Sequence, residues 1–174
     1  DEIRPEAGET IAKLRKLKMS PIGVISGDRR DNVEKLGEGL KLDFAYGEQL
    51  PEDKFGVISE LGDSVAMIGD GINDVVALSG SDLSISIGRF GSDIPARHSD
   101  IVLFGDSIAE LPRLFKLGRR SLAMIRANIA FALALKALFL ILAAVGYANI
   151  WMAVVADMGA SLAVIFNSLR LLRA

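Results

Sequence analysis

The chain has 174 residues, 51% of them apolar and 24% charged, with a formal net charge of −2. That average joins two unlike segments: residues 1–117 hold 21 acidic against 14 basic groups, whereas residues 118–174 hold one acidic against six basic. Lack of cysteine excludes a disulfide framework and thiolate metal sites, and a single histidine, His98, excludes a His-rich metal cluster within the chain. The opening DEIRPEAGE has neither a basic n-region nor an apolar core, so it is not a signal peptide and reads as the interior of a longer chain.

Residues 1–117 alternate short apolar runs with helix-like segments, the pattern of an α/β domain built on a parallel sheet. A helix is expected over PEAGETIAKLRKL, starting at Pro5, a favoured first-turn residue. Strand PIGVIS follows, then a polar helix from Asp31 to about Gly39, strand FAYG, a helix from Pro51 to Leu61 and strand SVAMIG. A helix from Asn73 to about Leu78 and strands LSISIG and DIVLF complete this part. A long helix from Ser107 then runs without a linker into an apolar stretch, with Pro112 marking its first turns or a kink.

Residues 118–174 contain two apolar runs, with transmembrane helices expected at about 124–147 and 150–169. The first, ANIAFALALKALFLILAAVG, has about the length that spans a bilayer and is apolar around its whole circumference, which disfavours a buried helical hairpin in a soluble core. Lys116, Arg119, Arg120 and Arg126 precede it, Arg170 and Arg173 end the second, and the turn between them has no basic residue. The positive-inside rule then puts both ends of this multi-pass segment in the cytosol, with Tyr147 and Trp151 at the outer boundary. Lys136 and Asp157 lie deep in the two runs, at similar distances from the turn. Intramembrane charges normally face a partner or a pathway, so they read as a transport site, Asp157 an oxygen ligand for a cation and Lys136 its counter-charge. The alternative is an ion pair that only fixes helix packing.

Three polar clusters fall at strand ends or helix starts, where open α/β sheets bind ligands: Ser26-Gly27-Asp28, Lys54 in LPEDKFGVI, and Asp70, Asn73 and Asp74 in GDGIND. Each alone is an ordinary turn or surface lysine. Together they suggest a phosphate site with a hard cation, because carboxylates suit Mg²⁺, lysine supplies a point charge, and a hydroxyl and a glycine amide donate to phosphoryl oxygens.

The order SGD, PEDK, GDGINDVVAL, SDIVL resembles the phosphorylation domain of P-type ATPases, cation pumps of the haloacid-dehalogenase-like superfamily. ADMGASLAVIFNSLRLL, with the lysine of NIAFALALK, resembles the zinc/cadmium/lead-type heavy-metal exporters. The resemblance implies a partial Rossmann-like phosphorylation domain over residues 1–117, followed by a two-helix transmembrane hairpin over 118–174. It implies Asp70 as the main Mg²⁺ ligand, Asp74 orienting that site, Asn73 contacting the phosphoryl group, Lys54 neutralising it, and Ser26 and the Gly27 amide binding its oxygens. Asp28 falls on the nucleotide and hinge side, and Asp157 with Lys136 at the transport site. The implied partners are the N-terminal part of the pump (nucleotide-binding and actuator domains and six further membrane helices), the lipid bilayer of the plasma membrane and a divalent metal ion such as Zn²⁺, with ATP bound mainly by the other domains and no nucleic acid.

The chain departs from the family in several places. The nucleophile motif Asp-Lys-Thr-Gly-Thr does not occur, so the isolated chain is expected to be inactive. Val76 stands where proline usually follows GDGIND, Arg29 replaces the usual Asn, Ser26 stands where Thr is commoner, and Ile94 and Pro95 occupy positions usually small or aliphatic. The alternatives are a non-catalytic split subunit or remnant of such a pump, a copper-type exporter, or a soluble phosphatase of the same superfamily, for which Asp1 would be the only candidate nucleophile. His98 reads as a loop residue rather than a ligand.

Overall fold

The structure, a computed structural model, describes residues 3–62, 64–69, 74–88, 99–105, 107–147 and 149–170. The chain divides into two compact units, residues 1–112 and 113–174.

In the first unit, helix α1 (Ala7–Lys16) follows Pro5 and turns Ala7, Thr10 and Leu14 inward, the spacing of one helical face. Strand β1 (Gly23–Ile25) leads to α2 (Arg30–Leu40), which buries Val33 and ends on Lys41 in the left-handed conformation. Then come β2 (Phe44–Tyr46), α3 (Pro51–Glu60), β3 (Ala66–Gly69), the short α4 (Val75–Ser79), β4 (Leu83–Gly88) and β5 (Ile101–Phe104). All strand pairs are parallel, and each connection crosses over through a helix where residues are described.

The strands form two sheets rather than the single sheet expected: β1 pairs with β2, and β3, β4 and β5 lie in that order. Alternation of apolar residues identifies strands but not their neighbours, and among the described residues β1 and β3 each pair on one side only. Strand β4 is central in its sheet, and Ser84, Ile85, Ser86 and Ile87 are all buried, as a strand covered on both faces requires. Among the described residues, Leu78 of α4 and Ile85 are the largest fully buried side chains.

A repeated device ties the strands at their N-terminal ends. Asp43, just before β2, accepts from the Ile22 amide at 2.6 Å; Asp82, before β4, accepts from the Val65 amide at 2.9 Å. Asp100, before β5, accepts from the amide of Ser84 at 2.9 Å and its hydroxyl at 2.7 Å. Asp43 also meets Arg15 at 3.2 Å. The carboxyl of Asp43 is held below its ordinary value, chiefly by the Ile22 amide and then by Arg15, and that of Asp100 chiefly by the Ser84 amide and then by its hydroxyl.

A depressed carboxyl pKa in the folded state adds stability above the unfolded value of 3.8, and that stability disappears as pH falls through the folded value. Asp100→Asn is therefore expected to be less stable than the parent at pH 7, with the difference narrowing at pH 3. Guanidinium midpoints of the detergent-solubilised chain, followed by circular dichroism, measure both values.

After β5, the Ser107 hydroxyl accepts from the Ala109 amide and caps a 3₁₀ turn, Ile108–Glu110, that continues into α5 (Leu111–Ala144). Pro112 occupies the second position of α5, where its missing N–H removes no helical bond. The run Ile108–Ala144 is long and apolar enough to cross a membrane. Helix α6 (Ile150–Leu169) starts at Asn149, whose side chain accepts from the Met152 amide at 2.9 Å. Its apolar part, Val154–Leu169, is shorter than a full span among the described residues. Residues of α5 that are less exposed than their neighbours recur at Asn128, Ala132, Leu135, Phe139 and Leu142, and those of α6 at Ala156, Ala160, Val164 and Asn167. These spacings of three and four define one stripe on each helix.

Candidate functional site

Ser26, Gly27 and Asp28 follow β1 directly, in a loop held by bonds to the next loop of the sheet. The Ser26 amide donates to the Tyr46 carbonyl at 2.8 Å, the Gln49 amide to the Ser26 carbonyl at 3.0 Å, and the Glu48 amide to the Asp28 carbonyl at 2.7 Å. The Ser26 hydroxyl accepts from the Asp28 amide at 3.2 Å, which closes a tight turn and leaves its proton available to an acceptor. Gly47 makes this approach possible. A Cβ there would lie 2.6 Å from Arg30 Cα and 2.9 Å from Arg30 N, so a side chain would meet backbone that cannot swing away. Sequence reasoning passes over Gly47 as the end of FAYG.

Lys54 lies in the first turn of α3, where Pro51 starts the helix and Asp53 accepts from the Leu50 amide at 3.0 Å. Helices α3 and α4 pack together, with Phe55 lying across Gly80, and this brings Lys54 to Asp74. The Lys54 Nζ to Asp74 Oδ1 distance is 2.6 Å, and the two side chains are only 11% and 16% exposed. Asp74 sits at the N-cap of α4 yet makes no side-chain capping bond; its carboxylate serves Lys54 instead. Gly69, the buried last residue of β3, accommodates it: a Cβ on Gly69 would lie 2.8 Å from the Asp74 Cβ. The first glycine of GDGIND thus makes room for the last aspartate, a role not evident from the motif's spacing.

Asp70, Asn73 and His98 lie outside the described residues. Among the described residues no group of three His, Cys, Asp or Glu side chains could hold a metal. The donor chemistry at this edge is hard oxygen from Asp74 beside a lysine, which suits Mg²⁺ shared with a phosphate and does not suit a soft metal.

In the second unit, Lys136 Nζ approaches Asp157 Oδ1 to 3.4 Å, linking α5 to α6. Both side chains are largely exposed, 68% and 59%. Nearer the far ends of the same helices, Asn128 bonds to Asn167 and Ser168. The two sets of contacts pair rising numbers on α5 with falling numbers on α6, so the helices run antiparallel. Sequence reasoning finds the charged pair but misses the asparagines, because it searches the apolar runs for formal charge alone.

The haloacid dehalogenase-like hydrolase family matches the chain over residues 1–82. A cadmium-transporting ATPase of Staphylococcus aureus is 37% identical over 99% of this chain and 24% of its own length. A cadmium, zinc and cobalt-transporting ATPase of Bacillus subtilis is 34% identical over 99% of this chain and 26% of its own length. The crystal structure of a zinc-transporting PIB-type ATPase in its E2.Pi state superposes with a TM-score of 0.91 at 35% identity, over 99% of this chain and 28% of that one. The chain therefore spans about a quarter of the length of the relatives it matches. With a haloacid dehalogenase-like match over residues 1–82 and this likeness along its whole length, the chain belongs to the heavy-metal P-type ATPases, of which it spans about a quarter.

Proposed function

We propose that this chain acts as the C-terminal part of an ATP-driven exporter of a zinc-, cadmium- or lead-type cation, in which formation and hydrolysis of an aspartyl phosphate drive ion movement. The observation that carries this reading is the 3.4 Å approach of Lys136 and Asp157 between two largely apolar helices. Both helices cross the plasma membrane, with their Arg- and Lys-bearing ends in the cytosol. A charged pair exposed to this degree within the chain cannot face lipid cheaply, so it faces further helices of the pump or a water-filled path. Asp157 supplies an oxygen ligand to the ion, and Lys136 neutralises the carboxylate once the ion has left.

The acceptor aspartate comes from outside this chain. A parallel strand inserted between the open edges of β1 and β3 would join the two sheets, its C-terminal end falling between the Ser26 loop and the Lys54–Asp74 pair. There its carboxylate oxygen attacks the γ-phosphorus of ATP and ADP leaves; water later cleaves the acyl phosphate. Lys54 offsets phosphoryl charge, the Ser26 hydroxyl and Gly27 amide donate to its oxygens, and Asp74 holds Lys54 in place. Asp28 lies on the nucleotide side, while Asp70 and Asn73 complete the set. When bound, Mg²⁺ on Asp70 and Asp74 supplies positive charge to the transferring group.

The test is Asp157→Ala in a full-length pump carrying this segment. Zinc-stimulated ATP hydrolysis is expected to fall to the metal-independent background, with phosphorylation by inorganic phosphate retained. Unchanged zinc stimulation would overturn the transport role of Asp157.

A further inference from the structure

A second polar contact between α5 and α6 has no part in the chemistry above. Asn167 Nδ2 donates to Asn128 Oδ1 at 2.7 Å, and Asn128 Nδ2 donates to Ser168 Oγ at 3.1 Å. The Ser168 hydroxyl in turn donates to the Val164 carbonyl at 2.9 Å. The three bonds form one directed chain across the two helices, running from Asn167 through Asn128 and Ser168 to the Val164 carbonyl.

Beside this chain of bonds the helices form a partly open cleft of about 320 Å³ lined by Ala127, Asn128, Phe131, Ala163, Val164 and Asn167. The cleft is partly open, so the two helices are not closely packed at this level. In a bilayer the hydrophobic effect does not drive one helix onto another, and interhelical hydrogen bonds and close packing must do so. Here the hydrogen bonds remain.

Asn128 precedes Lys136 by eight residues and Asn167 follows Asp157 by ten, about 12 and 15 Å along the two axes. A slip of one residue in either helix would turn its polar side chains about 100° away from the partner. Both contacts can form together only in one register. We infer that Asn128, Asn167 and Ser168 are positioning residues: their bond chain sets the register of α5 on α6 and so holds Lys136 opposite Asp157. The functional meaning of this device rests on reading Lys136 and Asp157 as the transport pair; the register itself does not.

The test uses the 174-residue chain in phosphatidylcholine vesicles. It has no native cysteine, so Lys136→Cys with Asp157→Cys introduces the only thiols and removes the ion pair, leaving the asparagine chain to set the register. The readout is the rate of cross-linking by a short bifunctional methanethiosulfonate. Asn167→Ala is expected to slow it about three- to tenfold, the scale of one or two interhelical bonds in a membrane. Asn128→Ala should do the same, and the double alanine variant should be no slower than Asn128→Ala alone, since both remove the same bond. An unchanged rate, or losses that multiply, would overturn the inference. Helicity is checked by circular dichroism. If Asn167→Ala loses it, Ser168→Ala, which removes one interhelical acceptor and one bond within α6, must still slow the reaction by about threefold for the inference to stand. Cross-linking reports register without any ion, so it can fail or succeed independently of zinc stimulation.

Discussion

Lys54→Met is expected to destabilise the first unit by about 3 kcal/mol, because it leaves the Asp74 carboxylate largely buried with no cation. The low end of the range for broken buried pairs applies, since both side chains keep some contact with solvent. Methionine keeps most of the lysine's length, so the loss is of charge rather than of volume. Replacing Asp74 by Asn in the same chain removes the stranded charge, and the double variant should recover much of the loss. Denaturant midpoints of the four proteins of this double-mutant cycle measure the coupling; simple additivity would mean that the pair observed at 2.6 Å contributes nothing of its own. In the full-length pump, Lys54→Met should also prevent accumulation of the phosphoenzyme even where the protein remains folded.

Gly47→Ala is expected to cost about 2–3 kcal/mol, toward the upper end for an overpacked position. The added methyl would meet the Arg30 backbone at 2.6 Å, and the start of α2 and the Ser26 loop must move apart to admit it. Because the Glu48 amide bonds the Asp28 carbonyl across this junction, the displacement should reach the Ser26 loop. Slower hydrogen exchange at the Glu48 amide in the parent than in the variant would report this directly. Equal exchange would show that the strain is absorbed elsewhere.

The strands and helices of the first unit are legible in the sequence because each is short, bounded by glycine, proline or aspartate, and alternates with its neighbours in a regular way. The positions of Lys54 and Asp74 are legible for the same reason, as both begin helices that follow strands. Their contact is not, because it depends on how α3 packs against α4 across Phe55 and Gly80. Pairing of strands is also hidden. Nothing in GVI or AMIG states which strand lies beside it, and the division into two sheets emerges only in three dimensions. The Asn128 and Asn167 pair escapes a sequence reading because uncharged amides barely alter the hydropathy of a long apolar run.

Asp43, Asp82 and Asp100 resemble ordinary turn residues ahead of strands. Their bonds to Ile22, Val65 and Ser84 tie neighbouring strands of the α/β unit together where those strands begin. The loops after β1 and β3 leave from the opposite ends of their strands, where ligand chemistry is expected. A pull on those loops is therefore passed to strands that are tied to their neighbours at the other end.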